Sequence, residues 1–357
     1  MMRDLRFYLL VALGLVAFPF ALHLIKGYPG LATQILIVGI AAVGFNLLLG
    51  YAGLLSYGQA MFYGVGSYVS LLTVSRFFPA HPNFWLALIL AVALVTVMAS
   101  LIGALTVRLY GIYFALLTLA FAQMFFFIVF QWRDLTHGDD GLQGITAPPL
   151  PLGFTSIDLT TALPAANLGP LGNLADIHYW YVFAAIVLLL VVVFVRTLTT
   201  SQFGEVLRAI RENEERSTFV GFDPARYKLA AFVIAGALTG LSGALKGLYE
   251  TSTSVETLNI ETSGSFVIYT VLGGVHTLLG PLVGTGLVMY LQNVISGVTD
   301  SWRLIEGLVF VAIVIFLPGG LLGPLRDRSA ARRRLAATVR TAPPSPTAPT
   351  ASTGGAP

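Results

Sequence analysis

The sequence predicts an all-α polytopic membrane protein with about ten transmembrane helices and both termini in the cytoplasm. Three observations carry that expectation. First, 56% of the 357 residues are hydrophobic, mean hydropathy is +0.82 and only 10% of residues are charged, against about 25% in soluble domains. No soluble core hides that much apolar surface, so the solvent must be lipid. Second, the apolar residues fall in runs of about 20, the length a bilayer requires. Third, the basic residues sort onto one side of those runs.

The first run, 7–25, follows Arg3 and Arg6 and so resembles a signal peptide. It is long, lacks a small-x-small cleavage site and is followed by further spans, so it reads as a retained helix. The others lie at 31–50, 59–76, 84–107, 112–130, 179–197, 229–249, 264–279, 281–298 and 303–320. The runs at 59–76, 264–279 and 281–298 are rich in glycine and are candidates for broken or re-entrant helices. With a cytoplasmic N-terminus, Arg3, Arg6, Arg108, Arg196, the basic residues of 201–228 and those of 326–340 all fall inside. Lys26, Arg76, Arg133, Lys246 and Arg303 are left outside, and the excess of Lys and Arg in cytoplasmic loops fixes this orientation. Residues 1–325 then form the transmembrane domain, with a Gly-, Pro- and Asp-containing external loop over 131–178 and a cytoplasmic segment over 198–228. The tail, 326–357, starts basic and turns Pro-, Thr- and Ala-rich, a composition that buries no core and reads as disordered.

Several chemistries are excluded. There is no cysteine, hence no disulfide or thiolate metal site. The histidines are scattered without ligand spacing, so no metal or other cofactor is expected. No carboxylate pair, triad or metal cluster can be assembled within one membrane depth, which argues against an enzyme, and nothing points to nucleic acid. No GxxxxGK[ST] loop is present, so any ATP that drives the protein is hydrolysed on another chain. Carboxylates at mid-membrane, usual in proton- or sodium-coupled carriers, are missing, which argues against a secondary carrier. Lys246/Glu250 and Arg303/Glu306 read as local pairs near helix ends.

What remains is polar and sparse. Ser201–Lys228 is the one strongly charged amphipathic stretch in the body of the chain. Leu207, Ile210, Phe219 and Val220 sit at roughly helical spacing among Glu205, Arg208, Arg211, Glu212, Glu214, Glu215 and Arg216. Such a segment suits a helix that lies in a groove of a soluble partner. Asn46, Ser56, Gln59 and Gln123 are uncharged polar residues inside spans, and they fit either a path for a polar solute or hydrogen bonds between helices. The glycines of 50–68 and 273–286 likewise fit either tight helix contact or broken helices that line a path. Leu54–Ser67 is the stretch expected to be interrupted. The loop 131–178 is the longest external segment and carries Asp139 and Asp140, candidates for contact with an external protein.

Six blocks together resemble the LivM-type permease subunits of branched-chain amino acid ABC importers. They are GYAGLLSYGQAMFYGVGSYVSLL (50–72), GIYFALLTLAFAQ (111–123), THGDDGLQGI (136–145), the segment 201–245, VLGGVHTLLGPLVGTGL (271–287) and FLPGGLLG (316–323). They lie in order and cover most of residues 30–325. The resemblance implies an ABC-importer permease fold in a bacterial inner membrane. It also implies a second, LivH-type permease subunit, two ATPase subunits and an extracytoplasmic substrate-binding protein. Glu214–Gly221 is similar to the family's ATPase-coupling motif, an acidic residue followed by small residues and a glycine. Here Glu215, Arg216, Ser217 and Thr218 replace the usual apolar residue and alanines, which implies a tailored ATPase surface. His137 and His276 stand where glycine is usual and Gln59 where histidine is usual. Permeases of the same superfamily for urea, amides, aromatic acids or sugars share the general pattern, as does, more remotely, a membrane scaffold.

Overall fold

The structure is a computed structural model that describes residues 2–323, apart from 26, 80–81, 153–154, 165–176, 276, 298, 300 and 318. The tail expected over 326–357 lies outside these residues. Among the described residues a helix occupies each of the ten apolar ranges. They are α1 (Met2–Leu24), α2 (Pro29–Asn46), α3 (Gln59–Leu72), α4 (Phe84–Thr106) and α5 (Ile112–Gln131). After the short α6 (Arg133–Thr136) comes α7 (Tyr179–Thr200), and then α8 (Gln202–Glu212), α9 (Glu214–Phe219) and α10 (Pro224–Glu250). The series ends with α11 (Ile260–Gly273), α12 (Gly280–Ser296) and α13 (Trp302–Phe316). A two-stranded antiparallel pair, β1 (Leu150–Leu152) and β2 (Thr155–Ile157), lies in the loop between α6 and α7.

Among the described residues six helices are long and apolar enough to cross a bilayer: α1, α2 with the turn that follows it, α4, α5, α7 and α10. The other four are shorter, at 14 residues in α3 and α11, 17 in α12 and 15 in α13. Local signals set the helix starts. Asn83 caps α4 by accepting from Trp85 N–H and Leu86 N–H, and Asp223 caps α10 by accepting from Ala225 N–H, with Pro224 at the first helical position. The peripheral helices turn large apolar side chains outward: Leu9, Leu10 and Leu13 on α1, Leu94, Val97 and Leu101 on α4, and Leu304 and Leu308 on α13 are all exposed. In water such a surface would aggregate, whereas lipid solvates it.

The centre belongs to α2, α3 and α10. Gly236, Gly240, Gly243 and Gly247 recur every three or four residues and so form one face of α10. A Cβ on Gly243 would strike the Tyr63 carbonyl, and one on Gly66 would strike the Gly240 backbone. On the far side, a Cβ on Gly284 would strike the carbonyl of Tyr269. Tight helix contact is therefore the reading these glycines take, because packing rather than hydrophobic drive holds helices together in lipid.

The connections gather at two ends of the bundle. Residues 107–111, the α8–α9 segment and the α11–α12 turn share one end. Lys228 lies 5.1 Å from the Tyr110 ring, and Asn46 Nδ2 donates to the Thr277 carbonyl at 2.9 Å. The loop after α5 and the 251–259 segment share the other end, where Leu142 and Thr253 exchange both backbone hydrogen bonds at 2.8 Å. Replacing Gly243 by Leu should therefore destabilise the bundle by about 1–3 kcal/mol or prevent its folding, as overpacking does. Gly14, with nothing near its missing Cβ, should accept Leu without loss; thermal unfolding of the detergent-purified chain reads both.

Candidate functional site

The interrupted stretch expected over Leu54–Ser67 is interrupted only in its first part. After α2 the chain widens into a π-helical turn, Leu47–Ala52, and stops at Gly53, whose φ of +72° suits glycine. Residues 54–58 are non-helical, and α3 begins at Gln59, beside Thr239 halfway along α10. From there to Ser67 the chain is helical. Non-helical backbone at this depth is tolerable only if protein satisfies its polar groups. Tyr57 N–H donates to Thr118 Oγ1 at 3.2 Å, and Ser263 Oγ donates to the Tyr57 carbonyl at 2.7 Å while accepting from Ala60 N–H at 2.9 Å. Ser56 Oγ accepts from Gly58 N–H at 3.1 Å.

Of the four polar residues expected along a path, Ser56 and Gln59 lie at this break, and Asn46 lies ahead of it at the end of α2, where it bonds Thr277. Ser56, Gln59 and Asn46 are all buried. Gln59 Oε1 accepts from Thr239 Oγ1 at 2.9 Å, while Gln59 Nε2 and Asn46 Oδ1 are buried without a partner. Gln123, more than one turn beyond Thr118 on α5, is half-buried. Below the break an apolar recess of about 580 Å³ opens between Leu54, Leu55 and Tyr57, Ile112 and Leu116 of α5, and Ile260 of α11. Sequence reasoning missed Thr118, Thr239 and Ser263. A hydroxyl inside an apolar helix commonly bonds the preceding turn, as Thr118 also does to the Ala115 carbonyl at 2.9 Å, so its second partner has no local signature.

The charged segment departs from a single amphipathic helix. It breaks at Asn213, which is extended (φ −157°, ψ 103°) and caps α9 by accepting from Arg216 N–H at 2.8 Å. The two halves then face differently. Leu207 and Ile210 of α8 are buried against the bundle. Phe219 and Val220 are 84% and 71% exposed. Arg211 donates to the carbonyl of Gly50 in the π turn, and Arg208 to the carbonyls of Gly204 and Thr199, both at 3.2 Å. Both side chains thus brace α8 on its own subunit. Glu205 and Glu215 are exposed, and Gly221, at φ +100°, turns the chain towards α10. Glu214 pairs with Lys228, which is only 5% exposed on the first turns of α10 and lies beside the Tyr110 ring. Lys228 and Tyr110 were also missed, because nothing in spacing joins them to Glu214.

At the opposite end Asp139 and Asp140 are exposed on the loop after α6, where His137, Gly138 and Gly141 all have positive φ. Further along, Asp158 accepts from the hydroxyl and the N–H of Thr160 at 2.7 and 2.9 Å, which holds its carboxyl below the usual range.

An apolar, all-helical body with a broken central span, and among its described residues six helices long enough to cross a bilayer, defines a polytopic membrane protein. The chain belongs to the family described as branched-chain amino acid transport system / permease component, whose model matches residues 28–317. It is 26% identical over 321 residues to the high-affinity branched-chain amino acid transport system permease protein LivM of Salmonella typhimurium, covering 88% of this chain and 73% of that one. To the LivM protein of Escherichia coli it is 25% identical over 327 residues, covering 89% and 75%. A probable LivH permease protein of Methanocaldococcus jannaschii is 22% identical over 157 residues, 40% of this chain and 48% of that one. No solved structure matches the chain.

The opposed faces of the charged segment can be read directly, since the chain has no native cysteine. Phe219→Cys in membrane vesicles open on both sides should react rapidly with a polar maleimide, and Leu207→Cys should stay protected; equal labelling would contradict the placement of α8.

Proposed function

We propose that the chain is the membrane-spanning subunit of an ATP-driven importer for branched-chain amino acids, with ten crossing helices and both termini in the cytoplasm. The observation that carries this reading is the projection of α9. Phe219 and Val220 form an exposed apolar tip on a segment whose Glu212, Glu215 and Arg216 are exposed as well. An exposed apolar tip on a charged segment suits a groove on a soluble partner. The sequence holds no phosphate-binding loop, so the partner brings the nucleotide site.

In the assembled importer two ATPase subunits lie below α8 and α9, and a second, LivH-type permease subunit lies alongside in the membrane. An extracytoplasmic binding protein delivers cargo at the end that carries Asp139 and Asp140. The names of the LivM and LivH relatives support both the cargo and the second permease. The orientation is supported by Arg108, Arg208, Arg211 and Arg216, which lie at the end of the bundle with α9. Asn46, Ser56 and Gln59 supply hydrogen-bonding groups for the polar part of the cargo, with Gln123 further along. The apolar recess under the break suits an aliphatic side chain.

Nucleotide-driven closure of the ATPases would move α9, and with it Glu214 and Gly221, as a rigid body. In the reconstituted complex, Glu214→Arg and Gly221→Pro should lower leucine uptake and substrate-stimulated ATP hydrolysis at least about tenfold while membrane insertion is retained. Wild-type rates in both variants would place the docking surface elsewhere. Cysteines at 139 and 140 should crosslink to the binding protein, and their failure to do so would leave this loop as a lid on its own subunit.

A further inference from the structure

We propose that a recess at the loop end of α10 is a docking subsite for the zwitterionic head of an α-amino acid, built from Lys246, Glu250 and Thr253. It deepens the amino-acid reading above and rests on it.

The recess encloses about 300 Å³ between Gln143 and Gly144 of the loop, Lys246 and Glu250 of α10, and the turn over 251–254. Lys246 Nζ and Glu250 Oε2 are 2.6 Å apart, with side chains only 21% and 29% exposed. Two opposite charges withdrawn from solvent yet lining a cavity match the two charges of an amino acid. The α-carboxylate accepts from the Lys246 ammonium, and the α-ammonium donates to the Glu250 carboxylate. One local ion pair is thereby exchanged for two charge-assisted contacts.

A second observation separates this from an ordinary pair on one helix face. Thr253 is 4% exposed, and its backbone N–H and carbonyl both pair with Leu142 at 2.8 Å. Its hydroxyl nevertheless has no partner. Buried hydroxyls are ordinarily bonded, and this orphaned one belongs to a residue that lines the charged recess, where a ligand oxygen would satisfy it. Thr251, left-handed at φ +54° without being glycine, turns the chain over the pair, and the Leu142–Thr253 bridge holds the loop against it. The residues lining the recess offer no large apolar side chain, so the cargo's side chain stays outside. The subsite therefore reads the α-amino acid head and not its branch.

The test uses the full chain in lipid nanodiscs with radiolabelled L-leucine. L-Alanine should compete within about threefold of L-leucine, and L-leucinamide and 4-methylvalerate, each lacking one charge, should be at least about tenfold weaker. Glu250→Gln and Lys246→Met should weaken binding about tenfold, and the isosteric Thr253→Val about fivefold with an unchanged unfolding temperature. Leucinamide competing as well as leucine, or Thr253→Val and Glu250→Gln both binding like wild type, would overturn the proposal. So would variants that lose capture of the binding protein while leucine binding is intact, since the recess would then be a protein contact. Uptake by the assembled complex separates the two readings. If wild type imports leucine and the Glu250→Gln and Thr253→Val variants do so equally well, only the subsite falls; if wild type imports another solute and not leucine, the amino-acid reading itself falls.

Discussion

In lipid every backbone N–H and carbonyl must find its partner inside the protein, and the break at 53–58 is where this chain has to meet that demand away from a helix. It does so with side chains drawn from two other helices, α5 and α11, and from the break itself. Thr118, Ser263 and Ser56 take up the groups of Tyr57, Gly58 and Ala60. The carbonyl of Gly50, in the π turn just before the break, accepts from Arg211 of α8. A Cβ on Gly53 would lie 2.7 Å from the Arg211 side chain, so glycine there permits both the left-handed turn and the approach of α8. The broken span and the charged segment thus share a hydrogen bond and a steric contact, and a displacement of α8 acts on the break without an intermediary.

The other half of the charged segment reaches the same region by a different route. Glu214 opens α9 and pairs with Lys228 near the start of α10, and α10 packs along α3, the helix that follows the break. Lys228 is almost fully buried, where an unpaired ammonium would be costly, so the pair ties α9 to α10 rather than decorating a surface. Phe203 stacks on Tyr227, and Phe222 meets Tyr227 edge-on, which closes the joint between α8, the turn and α10. In the proposed importer α8 grips the front of the break and α9 grips the helix behind it, while Phe219 and Val220 stay free for a partner.

The sequence showed its helices well and its joints poorly, for physical reasons. Apolar runs such as 84–107 and 179–197 are dictated by lipid, and α4 and α7 fill them almost to the residue. Glycine was ambiguous because it serves two ends: Gly53 breaks a helix by its backbone angle, while Gly243 lets one approach by lacking a Cβ. Asn213 broke the charged segment because its side chain competes for the amide of Arg216, an effect spacing does not register. Arg208 and Arg211 share the helical spacing of exposed residues, yet their long stems carry the guanidinium back to carbonyls of their own subunit. Lys228 and Tyr110 are separated by more than a hundred residues, and only the fold brings them together.

The contact between α3 and α10 has the properties that movement would require. No hydrophobic drive holds two helices together in lipid; close backbone packing and a few hydrogen bonds do. Here the bonds are few: Ser70 Oγ to the Ala244 carbonyl at 3.2 Å and Thr239 Oγ1 to Gln59 Oε1 at 2.9 Å. Each helix keeps its own ladder if the contact slides, so the loss on sliding is confined to those bonds and to dispersion between small residues. Gln59 Nε2 and Asn46 Oδ1 are already unpaired in this arrangement, so a second arrangement that paired them would recover part of that loss. A bundle with long interlocking side chains at this seam would have one deep packing minimum. One that meets on glycine can have two of similar depth, and a rigid lever fixed to both sides of the break is then sufficient to choose between them.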